Sequence, residues 1–151
     1  MKIIGIAIAT LMLMPAFAYS APPEAISAMR EQIEARYPDN FSMQKVLLSD
    51  QISSYDFLEK YNPSTLPAGL LEKIKRPIEA RYPSNYSMQK TLIVDQVESY
   101  EFLKTYKPDG MPAETLSRTS TKIAARYPYN FSMQKTLIVD QVQSYIELHG
   151  Q

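Results

Sequence analysis

The chain has 151 residues, with 16 basic and 16 acidic side chains, one histidine and no cysteine. This balance leaves no basic stripe, so phosphate-driven binding of nucleic acid is not expected. The absence of cysteine excludes disulfides and Cys–His catalysis, and a single histidine argues against a Ser–His pair or a His/Cys zinc site. We therefore expect no cofactor and no metal.

The beginning of the sequence has the pattern of an export signal. A positively charged start precedes an apolar run over Ile3–Met14, and small residues follow it. This pattern predicts a secretory signal peptide over residues 1–18, with cleavage after Ala18 or after Ser20. The run is shorter than the roughly 20 residues of a membrane span, so no stable membrane insertion is expected after cleavage. We predict a periplasmic or secreted protein whose single domain covers residues 19–151.

One sequence block occurs three times in the rest of the chain. It reads Ala-Arg-Tyr-Pro-x-Asn-(Phe/Tyr)-Ser-Met-Gln-Lys, begins at Ala35, Ala80 and Ala125, and so recurs every 45 residues. A constant period in this range is typical of one supersecondary unit copied in tandem. The predicted repeat units are residues 22–66, 67–111 and 112–151. The period resembles that of HEAT and armadillo repeats in length and helix-pair organisation only.

Each unit is predicted to be a helical hairpin, which gives an all-α fold arranged as a short solenoid or a compact bundle. The first helix is expected to begin at a proline that recurs with the period, because proline is favoured at the first helical position. These prolines are Pro22, Pro67 and Pro112. The helix should end near the arginine that precedes Tyr-Pro, since the residue before a proline avoids the α region. Pro77 lies inside the second unit's first helix and is expected to kink or split it.

The second helix of each unit should begin at the Asn or Ser that follows the turn, since both are good N-caps. Its apolar positions cover about half of the helix surface, with glutamines in the middle of the apolar side and an aspartate near its edge. A buried amide without a partner costs about 1–3 kcal/mol, so these groups are expected to form a structural hydrogen-bond network. We expect Gln44 to bind turn carbonyls, and each Asp to contact Arg or Tyr of the next copy. The predicted network comprises Gln44, Asp50, Gln51, Gln89, Asp95, Gln96, Gln134, Asp140 and Gln141.

The repeated turn supports a second interpretation, in which the same side of the hairpins forms a groove for a partner. Tyr and Arg are favoured at binding hot spots, and three equivalent contacts would add avidity. The candidate partner-binding edge consists of Arg36, Tyr37, Arg81, Tyr82, Arg126 and Tyr127.

These patterns predict an exported, non-enzymatic module that binds another protein or acts as a scaffold in the bacterial periplasm or cell envelope. One alternative is an inhibitor or immunity protein that neutralises a cell-envelope enzyme. A second alternative is a carboxylate-based hydrolase that pairs Asp50 with Glu59 or with an acid from another copy. An active site is normally built once per domain, so a polar cluster that occurs three times favours the binding or scaffold function.

Overall fold

The computed structural model describes residues 21–150, so the predicted signal peptide and its cleavage sites lie outside the described residues. All regular structure in this part of the chain is α-helical, which confirms the predicted fold class. The helices are α1 (Pro23–Arg36), α2 (Phe41–Lys60), α3 (Leu70–Arg81), α4 (Tyr86–Thr105), α5 (Ala113–Arg126) and α6 (Phe131–His149). No helix within residues 21–150 combines the length and apolar character needed to cross a membrane.

The six helices alternate between a shorter and a longer one and pack as three hairpins. Hairpin 1 consists of α1 and α2, hairpin 2 of α3 and α4, and hairpin 3 of α5 and α6. The long helices α2, α4 and α6 lie side by side in that order, whereas within residues 21–150 no helix of hairpin 1 lies next to a helix of hairpin 3. The first helices of the three hairpins do not contact one another either. The hairpins therefore lie in a row, which is the solenoid alternative rather than a closed bundle.

The ends of the short helices and the starts of the long helices follow the sequence prediction. α1, α3 and α5 all end at the arginine before Tyr-Pro. The long helices are capped by Asn40, Asn85 and Asn130, whose side-chain oxygens accept the backbone N–H three residues later. Asparagine, rather than the serine two residues on, is therefore the N-cap in each hairpin.

The short helices do not begin at the residues that the sequence predicted. The proline expected to begin α3 is Pro67, but the helix begins three residues later, at Leu70. Gly69 precedes it in the left-handed conformation, with φ of 74°, so the right-handed helix cannot include that residue. In α1 and α5 the recurring proline is the N-cap rather than the first helical residue.

The expected split at Pro77 does not occur, because α3 runs continuously through it. Proline removes one intrahelical hydrogen bond and disturbs the preceding turn. Ile74 and Ile78 lie on either side of it and pack into the core cluster around α4. This packing stabilises a helix that an isolated peptide of the same sequence would not maintain.

The main core cluster joins hairpins 1 and 2. It contains the buried side chains Leu58, Ile74, Ile93 and Val97. A second cluster, around Met29 and Ile52, joins α1 to α2, and Tyr86 of hairpin 2 packs against it. Hairpin 3 contributes less, since α5 has no buried residue.

Candidate functional site

One glutamine in each hairpin fixes the turn to the long helix. Gln44, Gln89 and Gln134 donate through Nε2 to the carbonyls of Tyr37, Tyr82 and Tyr127 at 2.8, 2.7 and 2.7 Å. The sequence predicted a turn carbonyl as the partner of this glutamine. The side chains at positions 89 and 134 are almost fully buried, so the hydrogen bond satisfies an amide that has little access to water.

A second glutamine joins each hairpin to the next. The Gln51 amide donates to the Asn85 side-chain oxygen at 3.2 Å, and its carbonyl oxygen accepts from the Ser87 backbone N–H at 3.2 Å. Gln96 makes the same pair of bonds to hairpin 3, at 3.4 and 3.1 Å. Each of these glutamines therefore satisfies an N–H group at the start of the next long helix. Gln141 occupies the same position in α6 but is exposed, and it forms no such bond within residues 21–150.

The aspartates do not belong to this network. Asp50 and Asp140 are exposed and Asp95 is half-buried. No ion pair links any of them to an arginine of the next hairpin within residues 21–150, where the ion pair formed is Lys104–Glu101 at 3.4 Å. The expected contacts between Asp of one copy and Arg or Tyr of the next are therefore not formed within residues 21–150. Each arginine instead lies over the tyrosine of its own turn.

The predicted Arg–Tyr edge forms three equivalent exposed contacts. In each turn the guanidinium carbon of arginine lies 5.5 to 5.6 Å from the ring centroid of the neighbouring tyrosine. The arginines are exposed and the tyrosines half-buried. A cation–π contact at an exposed site contributes about 0.5–1 kcal/mol, which favours this arrangement of the two side chains. The six residues of the edge thus form three similar pairs.

A groove lies beside each pair, between the short and long helices of the same hairpin, and at hairpins 1 and 2 the turn of the next hairpin also lines it. The middle groove, between hairpins 2 and 3, has a volume of about 800 Å³. Its apolar lining includes Ile78, Leu92 and Met133, and its polar lining includes Arg81 and Asp95. It therefore combines an apolar surface with a few charged groups, as binding sites for small molecules and peptides do.

The equivalent first groove, between hairpins 1 and 2, is much smaller, with a volume of about 130 Å³. The amide of Gln32 on α1 donates across it to the carbonyl of Pro83 at 3.3 Å. The residue at the same place in hairpin 2 is Pro77, whose side chain has no donor. The middle groove thus lacks the bridge that narrows the first. The third groove, of about 400 Å³, is lined by Ile123, Leu137 and other residues of hairpin 3.

Tyr129 is an unexpected member of the middle groove. It has a φ of 60°, the left-handed conformation that Asp39 and Ser84 adopt at the same turn position. This conformation costs a non-glycine residue about 1–2 kcal/mol and is uncommon for a bulky one. Tyr129 is 44% exposed, and its ring centroid lies 5.2 Å from the Lys73 ammonium. Tyr129 is the variable residue of Tyr-Pro-x-Asn, which is aromatic only in the third copy. This difference between the copies is the feature of the sequence that could have indicated it.

Aromatic rings join the long helices near the glutamine bridges. The Tyr55 and Tyr86 rings meet edge to face, with centroids 5.0 Å apart, and Tyr100 meets Phe131 in the same way at 5.1 Å. Burial in this contact raises the pKa of Tyr86, and the nearby Tyr55 and Glu59 raise it further. The phenol therefore stays neutral well above physiological pH and acts as an apolar ring with a hydroxyl at its edge.

Within residues 21–150, no group of three or more His, Cys, Asp or Glu side chains is placed to hold a metal ion. The middle groove is the candidate site because of its size and its mixed apolar and charged lining, with Arg81 and Tyr82 of the predicted edge beside it and Lys73, Pro77 and Tyr129 as residues that the sequence did not indicate. Comparisons of the chain with protein-family models, with curated proteins and with solved structures give no match.

Proposed function

We propose that this chain is a non-enzymatic protein-binding module whose middle groove holds an extended segment of a partner protein. One observation carries the proposal: an apolar groove of about 800 Å³ stands open where its counterpart in hairpin 1 is bridged by a hydrogen bond. A hydrogen bond across the middle groove, like that of Gln32, would stabilise the fold, so stability alone would favour a bridged groove. A strained, half-exposed tyrosine at the same groove also costs stability without improving the core.

The lining residues define the chemistry of the partner segment. The apolar residues of the groove offer a place for an aliphatic or aromatic side chain. Lys73 and Arg81 provide two positive charges, against one negative charge from Asp95. The groove therefore favours an apolar side chain followed or preceded by an acidic one. Tyr82 and Tyr129 supply aromatic contact area, which is frequent at binding hot spots.

The first and third Arg–Tyr pairs extend this surface. They present the same side chains as the middle pair, one 45-residue repeat away on either side. A partner with repeated acidic segments would contact several pairs at once, and its affinity would increase through avidity. This arrangement supports a scaffold function for the same surface.

We further propose that the protein acts outside the cytoplasm, in the bacterial periplasm or cell envelope, after removal of the segment that contains Ile3–Met14. N-terminal sequencing and intact mass of the protein from a periplasmic fraction test this. The expected first residue is Tyr19, with Ala21 as the second choice. A full-length chain recovered only from the cytoplasm would refute the export proposal and leave the groove proposal standing.

Pro77→Gln is the direct test of the groove. By analogy with Gln32, the new amide should donate to the carbonyl of Pro128 and narrow the middle groove. Removing a proline from a helix interior and gaining a hydrogen bond should also raise the free energy of unfolding by about 1–3 kcal/mol. Peptides selected on the wild-type protein from a displayed library should bind the variant at least about tenfold more weakly, as measured by titration calorimetry.

Two further variants make this test specific. Gln32→Ala removes the bridge of the first groove and should leave peptide affinity at the middle groove unchanged. Arg81→Ala should weaken binding of acidic peptides while lowering stability by no more than about 1 kcal/mol, because the side chain is exposed and loses only its contact with Tyr82. If the library yields no peptide with an apolar–acidic pattern, or if Pro77→Gln binds selected peptides as well as wild type does, the groove is not the binding site.

A further inference from the structure

Each hairpin docks on the next through two different faces. The downstream face, on hairpin 1, carries Gln51 and Tyr55, and the upstream face, on hairpin 2, carries Asn85, Tyr86 and Ser87. The glutamine binds the asparagine and the serine, and the two rings meet edge to face. Hairpins 2 and 3 repeat both contacts. The two faces are therefore complementary, and the structure contains their interface twice.

One copy of each face remains uncovered within residues 21–150. On the upstream face of hairpin 1, Phe41 takes the place of Tyr86 and is 73% exposed. On the downstream face of hairpin 3, Gln141 is exposed. Leu148 on the same helix is 76% exposed, whereas its equivalent Leu58 is only 7% exposed in the core between hairpins 1 and 2. These two uncovered faces are the two halves of the interface that the molecule already forms.

The uncovered faces also differ from the internal ones in charge. The charges on the uncovered upstream face are opposite to those on the uncovered downstream face. Inside the molecule, the Lys90 ammonium lies 4.9 Å from the ring centroid of Phe57. The equivalents at the uncovered faces are Lys45 upstream and Glu147 downstream. In the same docking geometry, the lysine of one copy would face the glutamate of another rather than an aromatic ring. The replacement converts a cation–π contact into an ion pair.

A second pair of positions shows the same complementarity. Lys73 of hairpin 2 lies over the ring of Tyr129 in the next turn. The equivalents at the uncovered faces are Arg118 downstream and Asp39 upstream, both exposed. Opposite charges therefore meet at both positions when the upstream face of one copy is placed on the downstream face of another. Such complementarity favours this register over others.

We propose that copies of this chain associate head to tail, with the upstream face of hairpin 1 of one copy docked on the downstream face of hairpin 3 of the next. The interface is heterologous, so it forms rings if the rotation closes and filaments if it does not. The docked copy would also supply Asp39 and Asn40 to the third groove. Within the molecule, hairpin 3 supplies the equivalent residues, Tyr129 and Asn130, to the middle groove. The inference does not depend on the proposed function, because Lys45 and Glu147 line no groove.

Charge reversal tests the proposal on protein made from the full coding sequence and purified in the form that the cell produces. Sedimentation velocity should show a weight-average mass that rises with wild-type concentration and falls with added salt. Lys45→Glu and Glu147→Lys each place like charges at the interface, so each should weaken association about tenfold. An equimolar mixture of the two variants should restore association, because each reversed side chain then meets an opposite charge on the other variant.

Lys60→Glu is the matched control, since it makes the same charge change at an exposed residue at the end of α2 and should leave association unchanged. Circular dichroism melting curves show whether each variant is folded. The decisive comparison is between the mixture and the separate variants, because the mixture contains the same two proteins and no new substitution. The proposal is overturned if wild type stays monomeric up to about millimolar concentration, where even weak interfaces are populated. It is also overturned if association stops at a dimer that neither reversal affects, or if the mixture behaves like the separate variants.

Discussion

Ile93→Ala is expected to lower the free energy of unfolding by about 2–5 kcal/mol. Ile93 is fully buried, and it packs with Leu58, Ile74 and Val97, which come from both hairpin 1 and hairpin 2. Its removal loses apolar burial and leaves a cavity, because helices held by glutamine bridges on either side have little freedom to close it.

Because Ile93 lies in the cluster between hairpins 1 and 2, the substitution should also change the cooperativity of unfolding. In a row of hairpins, stability is roughly the sum of the hairpins and their interfaces, so weakening one interface reduces cooperativity. Urea denaturation followed by far-UV circular dichroism should therefore show an earlier midpoint and a shallower transition for the variant.

Val46→Ala serves as the control for this prediction. Val46 is an aliphatic residue of α2 that is 62% exposed, so the same kind of truncation should change stability by less than about 0.5 kcal/mol. A loss under about 1 kcal/mol for Ile93→Ala would contradict the central place of this cluster in the fold.

Sequence reasoning succeeded where the controlling interactions are local. The ends of the short helices are set by a proline two residues later, and the starts of the long helices by an asparagine side chain three residues before the N–H it accepts. The start of α3 was wrong because it depends on a turn in which Gly69 is left-handed. Glycine allows this conformation without requiring it.

The middle groove was not predicted, for a reason that lies in the repeat itself. Conserved positions between copies indicated the Arg–Tyr edge, but the groove depends on positions where the copies differ. Pro77 was interpreted as a local helix breaker, whereas in the structure it stands where Gln32 of hairpin 1 makes a bridge. Tyr129 likewise differs from its two counterparts. The size of a groove between hairpins is set by the distances between helices of different hairpins. The apolar periodicity within one helix carries no information about those distances.

Identical residues in a repeat also occupy different environments. The sequence assigned Gln51, Gln96 and Gln141 one role, and the structure gives the first two a bridge to the next hairpin. The third has no hairpin to bind within residues 21–150. The aspartates are a similar case. Helical geometry placed them at the edge of the apolar side, but it does not determine which residues of other helices they contact.

This difference sets up a matched pair of substitutions. Gln96→Ala should lower the free energy of unfolding by about 1–3 kcal/mol, because it removes the bridge to Asn130 and leaves the half-buried Ser132 N–H without its acceptor. Gln141→Ala makes the same chemical change at the same position of the next long helix. It should alter stability by less than about 0.3 kcal/mol in the monomer, because no bond within the described chain is lost.

Concentration separates folding from association in this comparison. Denaturation at low micromolar concentration, where the monomer dominates, should show the loss for Gln96→Ala alone. Equal losses for both variants would mean that the bridge does not set the cost, because Gln141 forms no bridge within the described chain and alanine is the better helix former. A change under about 0.3 kcal/mol for Gln96→Ala would mean that water satisfies the Ser132 N–H as well as the glutamine does. At concentrations where copies dock head to tail, Gln141 acquires the partner that Gln96 has within the chain, so Gln141→Ala should then weaken association while leaving the fold unchanged.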